Sequence, residues 1–292
     1  MFCDFQAATY GKWILAGEHA VVRGHGALVF PIKSMQLSIK YDATGSDLRI
    51  ECEGDHDEMN AAFEQVLLQG LQLLNQSHQR LRGKFHLQSS VPLGVGVGAS
   101  AALCVAAARW FVAQKMLNEQ DVQSFATQVE HLFHGKSSGL DIAGVAASSG
   151  IYFKQGVVEP IHLAWQPLWY LSSCQQIGHT SQCIQAVQSL WETNAAAARQ
   201  IDMDMQASVL QARTALADPS PNAPAHLAQA IQQAAGCFQQ WGLISEHLRG
   251  HIEHLREAGA TAIKPTGSGG GGYVLSLWNK PPPPMAIEMI AV

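Results

Sequence analysis

No apolar run in this 292-residue sequence approaches the roughly 18 residues that a membrane-spanning helix needs. The amino terminus shows no charged-then-apolar leader of the secretory type, which sets the expectation of a soluble, cytoplasmic protein. None of the six cysteines (Cys3, Cys52, Cys104, Cys174, Cys183, Cys237) pairs as Cys-x-x-Cys, so they read as reduced thiols rather than as a metal or redox motif. Positive charge is in deficit. A net charge of -5 gives no reason to expect nucleic acid or an anionic membrane as partner, and any polyanionic ligand must then be held by local geometry. Charged residues make up only 14% and hydrophobic ones 47%, a balance that supports a substantial core in one large domain or two closely joined ones.

What is abundant is glycine in particular places. Pro92-Leu93-Gly94-Val95-Gly96-Val97-Gly98-Ala99-Ser100-Ala101-Ala102 alternates three glycines and then runs into a small-residue, helix-prone stretch. Such a loop brings bare backbone close to an anion and points free N–H groups and the positive end of a helix dipole at one spot. It reads as a phosphate cradle. Two better-known glycine motifs are excluded. A dinucleotide fingerprint wants an acid ending a second strand about 20 residues on, whereas Glu119 and Asp121 sit at the start of the next helix. A P-loop ends in Gly-Lys-Ser/Thr after a glycine five positions earlier, and before Gly135-Lys136-Ser137 that position is Glu130.

Along the chain, Ala8 to Tyr41 alternates apolar residues with glycine and predicts strands, with Val21 to Val29 as strand, turn, strand. Helical rhythm marks Asn60 to Gln79, Ser100 to Lys115 and Glu119 to Phe133, and Phe85 to Val91 is a strand feeding the glycine loop. The second half is richer in helix: Thr180 to Leu216, Pro224 to Trp241 and Leu248 to Ala258 carry long Ala/Gln-rich patterns, between strands at Leu168 to Ser173 and Tyr273 to Leu277. Pro281 to Pro284 is a rigid spacer before a tail that reads as a final short helix.

Several polar residues stand against apolar surroundings, each with two readings. Lys12 precedes an apolar strand and either snorkels to the surface or reaches a site of developing negative charge. Glu18-His19 is either a self-satisfied turn or a ligand-facing pair. Glu130 lies near a helix end, where a carboxylate is electrostatically disfavoured, and is either solvated or held for a metal ion. Asp141 either caps the helix that follows it or is held for chemistry. Thr266-Gly267-Ser268-Gly269-Gly270-Gly271-Gly272 reads as a backbone-approach loop, close to a substrate or to the first glycine loop, rather than as a linker. His247, His251 and His254 share a helical face (i, i+4, i+7) that reads as solvated among Glu246, Arg249, Glu253, Arg256 and Glu257.

In this order, from Ala8 to Leu277, these segments resemble the GHMP kinase superfamily. Gly11-Lys12-x-Ile14-Leu15-x-Gly17-Glu18-His19-Ala20-Val21-Val22-x-Gly24 resembles the first motif of its mevalonate kinases, and Pro92 to Ala102 the ATP-phosphate motif. His134-Gly135-x-x-Ser138-Gly139-x-Asp141 resembles the segment carrying the catalytic aspartate, and Lys264 to Gly272 the third motif. The resemblance implies an α+β two-domain GHMP kinase fold. Residues 1–160 would form the ATP-binding domain, similar to ribosomal protein S5 domain 2 with a left-handed βαβ unit, and residues 161–292 a ferredoxin-like α/β domain. It further implies ATP as phosphoryl donor, Mg²⁺ as cofactor and the primary hydroxyl of mevalonate as acceptor.

Carried over by position, Asp141 matches the catalytic base and Lys12 the lysine that contacts it. Ser100 and Glu130 match the magnesium ligands, and Pro92, Gly94, Gly96, Val97, Gly98, Ala99, Ser100 and Ala101 the ATP site. Glu18, His19, Ser138, Gly139, Thr266 and Gly267 match the acceptor pocket. The superfamily's frequent dimers make a homodimer possible. The chain departs from the pattern at Tyr10, Ala99, Ser137 and Ile142. Ile142 leaves open phosphomevalonate or another small alcohol as acceptor; a separate alternative is a catalytically silent member of the same fold that binds a metabolite.

Overall fold

The computed structural model describes residues 4–54, 57–134 and 137–292. Cys3, Gly135 and Lys136, which the sequence reading touched, lie outside the described residues. The chain opens on strand β1 (Phe5–Ala16), followed by a 3-10 turn (Ala20–Arg23) and the long strand β2 (Ala27–Asp42). Next come β3 (Leu48–Cys52), helix α1 (Asp57–Leu73) and β4 (Gly83–Ser89). Helices α2 (Ala99–Ala113), α3 (Val122–His134) and α4 (Leu140–Ala146) complete the first half. The second half runs β5 (Ile151–Lys154), β6 (Val157–Pro160), β7 (Leu168–Ser173), α5 (Thr180–Thr193), α6 (Ala195–Ala217), α7 (Ala223–Gln240) and α8 (Glu246–Glu257). It ends on β8 (Ala262–Pro265), β9 (Tyr273–Trp278) and β10 (Ile290–Ala291).

The chain divides into two compact units, and neither is one continuous segment. The first comprises the residues up to Lys12, Pro31–Leu93 and Gly98–Ser148; the second comprises Trp13–Phe30, Gly94–Val97 and Ser149–Val292. In the first, β4 lies between β3 and β2, parallel to β3 and antiparallel to β2. A parallel pair cannot be joined by a tight turn, and α1 supplies the crossover. Helix α2 is apolar all round, and every residue from Ala101 to Ala108 is buried. A helix of that kind belongs at the centre of a layer, and α1, α3 and α4 all pack on it. Its alanines let the neighbours approach closely, and the Thr9 hydroxyl donates to the Ala102 carbonyl at 3.2 Å.

In the second unit, β5 pairs with the first residues of β2 and with β6, across a turn in which Gln155 and Gly156 both have positive φ, as a tight hairpin requires. A separate antiparallel sheet has the order β10-β7-β9-β8. Trp13 stacks on Phe30 with centroids 4.8 Å apart, and Trp169 meets both rings edge-on.

Three readings of the sequence are corrected. Val21 and Val22 lie in a 3-10 turn, not a strand: Gly17 (φ 109°), His19 (φ 58°) and Gly24 (φ 89°) put three left-handed positions within eight residues, which winds the chain instead of extending it. The helical stretch from Thr180 to Leu216 is two helices. Asn194 leaves helical geometry between them, and its side chain accepts from the Ala197 N–H to cap α6. The tail after the proline run forms the short strand β10, paired with Tyr170 and Leu171 of β7, rather than a helix.

Gly70 sits inside α1, where alanine would normally favour the helix by about 0.5–1 kcal/mol. A Cβ there would lie 2.4 Å from Cε2 of Phe111. Overpacking of about 1–3 kcal/mol outweighs the propensity gain, so Gly70→Ala is expected to lower the urea midpoint. An unchanged or raised midpoint would show that the Phe111 ring can step aside.

Candidate active site

The second half of β1 delivers Lys12 into the interior, where it is only 2% exposed. This is not the surface lysine that the sequence allowed. Its Nζ lies 2.8 Å from Oδ1 of Asp141, whose side chain is 38% exposed. Asp141 is the second residue of α4, not its cap. Gly139 holds the capping position with φ 80°, and no side chain caps the helix there. A carboxylate in a first helical turn is favoured by the dipole, so the ammonium and the helix hold Asp141 from two sides. The stem of Lys12 crosses Gly98, where a Cβ would fall 2.8 Å from Lys12 Cγ and 2.9 Å from Val145 Cγ1. The third glycine of the loop is therefore required by packing against Lys12 as well as by its φ of 88°.

Glu130 projects from α3 and is 4% exposed. The solvated reading fails. Burial, with the negative charge of Asp141 next in importance, raises its carboxyl to about 7, and the Ser137 hydroxyl, donating to Oε2 at 2.6 Å, opposes the rise. The same Ser137 oxygen accepts from the Gly139 N–H at 3.1 Å, and Ser138 Oγ accepts from Leu140 N at 3.3 Å. Ser137 thus ties the buried carboxylate to the turn that launches Asp141, a role that nothing in the sequence reading had given it.

Within the glycine loop, Gly94 (φ 76°) and Gly96 (φ 82°) adopt left-handed backbone, and a Cβ at either would meet nothing within 4 Å. Both face open space. Pro92 and Ser100 are half-buried, whereas Val97, Ala99 and Ala101 pack inward. Residues 94–97 share the second unit with the third glycine segment, and the two touch: a Cβ at Gly272 would lie 3.0 Å from the Val95 oxygen, and one at Gly267 3.5 Å from the Gly96 oxygen. The third segment is a backbone-approach loop against the first glycine loop.

Glu18 is 2% exposed and its Oε1 accepts from Nζ of Lys264, which is fully buried. The His19 Nε2–H donates to the Ser268 carbonyl at 2.9 Å, with Trp241 edge-on to the ring, and burial pushes the imidazole down to about 4. The Thr266 hydroxyl accepts from Ile14 N at 2.8 Å and donates to Ile14 O at 3.0 Å. On α8, the His face is not all solvated: His251 Nε2 lies 2.8 Å from Ser172 Oγ, and His247 Nε2 lies 2.7 Å from the Cys174 carbonyl. His247 and His254 are exposed, and His251 is half-buried. Lys264 was missed as a site candidate, since a lysine before a proline carries no sign of burial.

Residues 65–150 match the family described as GHMP kinases N terminal domain. The curated mevalonate kinase of Aeropyrum pernix is 25% identical over 291 residues, covering 94% of this chain and 89% of its own. That of Pyrococcus horikoshii is 26% identical over 294 residues, covering 93% and 88%. Among solved structures, L. major mevalonate kinase in complex with R-mevalonate matches with a TM-score of 0.77 at 23% identity, over 94% of this chain and 87% of that one.

Folding raises the Glu130 carboxyl from its ordinary 4.5 to about 7, so the stability tied to its proton is fully present below the lower value and is lost as pH rises through the upper. Glu130→Gln has no such proton to lose. Urea midpoints should therefore show the variant gaining on the native chain between about pH 5 and about pH 8. A gap that does not change with pH would contradict the burial of this charge.

Proposed function

We propose that this chain, which carries the GHMP kinase N-terminal domain and the GHMP kinase fold, is an ATP-dependent kinase that converts mevalonate to 5-phosphomevalonate. The observation that carries the reading is the Lys12–Asp141 pair at 2.8 Å, seated on the last glycine of the phosphate loop. Phosphoryl transfer asks a protein mainly for positioning and charge neutralisation, and this arrangement supplies both. The relatives that align along nearly all of the chain are mevalonate kinases, which supports the choice of acceptor.

In this reading Asp141 is the general base. It accepts the proton of the primary hydroxyl as the alcohol oxygen bonds to the γ-phosphorus, while the bond from that phosphorus to the β–γ bridging oxygen breaks and its electron pair leaves with ADP. The Lys12 ammonium, fixed on Asp141, offsets the negative charge that develops on the alcohol oxygen. Gly94 and Gly96 leave backbone bare for the triphosphate, and the start of α2 from Ala99 to Ala101, with Pro92, Val97 and Gly98 around it, turns its N–H groups toward the phosphates. Ser138 and Gly139 shape the turn that presents Asp141.

Magnesium fits the donor set. Ser100 and Glu130 offer hard oxygen atoms, and a divalent cation beside Glu130, whose carboxyl is raised chiefly by burial and next by the charge of Asp141, would favour its ionised form. Among the described residues no cluster of three or more His, Cys, Asp or Glu could hold a metal alone, which suits an ion that takes one or two protein ligands and completes its shell with substrate phosphates. When bound, Mg²⁺ would neutralise charge on the phosphates.

A coupled ADP-release assay offering mevalonate, phosphomevalonate, homoserine and galactose side by side tests the acceptor, with release expected on mevalonate. Asp141→Asn should keep its thermal midpoint within a few degrees and lose about 10²–10⁴ in turnover. Near-native turnover in that variant would remove Asp141 from the mechanism.

A further inference from the structure

A fully buried lysine on β8 has no place in the chemistry above, yet the structure surrounds it with polar partners. Lys264 Nζ donates to Glu18 Oε1 at 2.5 Å and to the Ile14 carbonyl at 3.2 Å, and it lies 5.1 Å from the centre of the Phe238 ring. Both members of the pair are shut off from water, with opposite charges in direct contact. The contacts also have a pattern. Three residues two apart, Lys264, Thr266 and Ser268, are each held by the stretch that ends β1 and enters the first turn: Lys264 by Ile14 and Glu18, Thr266 by Ile14, and Ser268 by His19. Lys264 and Thr266 reach these partners through their side chains and Ser268 through its carbonyl, on the stretch that leaves β8, so a slip by one residue would take all three groups from their partners.

From this we infer that Lys264 is a positioning residue for nucleotide binding: its pair with Glu18 fixes the register of residues 264–268, and through them the loop 267–272 that backs the phosphate loop. The last link is steric. Gly267 and Gly272 pass so close to Gly96 and Val95 that even a methyl group at Gly272 would come within 3.0 Å of the Val95 oxygen. A shift of the third loop therefore changes the path of residues 94–97, which the reading above assigns to the triphosphate and on which this inference rests. Glu18 then acts on the nucleotide through Lys264, without touching it.

The test compares Lys264→Met with the double variant Glu18→Gln/Lys264→Met. The single change leaves the Glu18 carboxylate buried without its partner and is expected to lower the thermal midpoint sharply. The double variant removes both charges at similar volume, so its midpoint should return close to native. A structural role alone would then restore everything. The positioning role predicts instead that the double variant binds a fluorescent ATP analogue about tenfold more weakly, with the KM for ATP raised in step and the KM for mevalonate changed less than about threefold. Native affinity for the analogue in the stable double variant would overturn the inference, as would a loss confined to the mevalonate KM. A double variant that fails to fold would also overturn it, because the pair would then be holding the core. Absence of analogue binding by the native chain would defeat the kinase reading itself, a separate outcome.

Discussion

An ammonium group closed off from water needs a counter-charge within reach, and the demand of Lys12 organises much of the first unit. Its partner is Asp141, and putting a carboxylate there requires a helix to begin one residue earlier. Gly139 allows that start by taking a left-handed conformation, and the Ser137 and Ser138 hydroxyls accept from the N–H groups of the turn. Ser137 donates in turn to Glu130, so a second buried carboxylate is drawn toward the first. The stem of Lys12 needs room as well, and Gly98 provides it by having no side chain. One buried charge thus constrains residues from three other stretches of sequence.

The two carboxylates near Lys12 are not equivalent. Asp141 keeps partial access to solvent and has the ammonium at hydrogen-bonding distance. Glu130 is buried deeper and lies in the field of Asp141, and its carboxyl rises to about 7. In the proposed reading this asymmetry separates two roles: Asp141 takes the proton of the alcohol, and the buried Glu130 offers an oxygen to a divalent cation. The second unit follows a different logic. There, Glu18, His19 and Thr266 are bonded to the segment that carries the third glycine run, which makes them holders of backbone position.

Much of this was legible in the sequence, because glycine and proline report backbone geometry locally. Gly94, Gly96 and Gly98 alternate because each needs positive φ, and the segment from Thr266 to Gly272 announced a close approach of backbone to backbone. The strand at Leu168 to Ser173 was readable from its side chains alone. What escaped depended on partners distant in the chain. The depth of Lys12 was hidden because the last six residues of β1 are all buried, so the alternation that would reveal a strand's inner face disappears. The histidines of α8 looked solvated because their own helix is rich in charge, while Ser172 and the Cys174 carbonyl, which two of them meet, lie more than seventy residues away. Ser137 stood where the family pattern carries proline, and its hydroxyl gained meaning only once Glu130 and Gly139 were seen on either side of it.

The central claim is that Asp141, fixed by Lys12, faces the reacting hydroxyl. A crystal structure of the chain with mevalonate and a non-hydrolysable ATP analogue tests it most directly. The claim predicts an Asp141 carboxylate oxygen within about 3.2 Å of the primary hydroxyl, that hydroxyl in line with the γ-phosphorus, and Lys12 still paired to Asp141. An Asp141 side chain turned into the protein interior, with the hydroxyl and the phosphoryl group met by other residues, would contradict it.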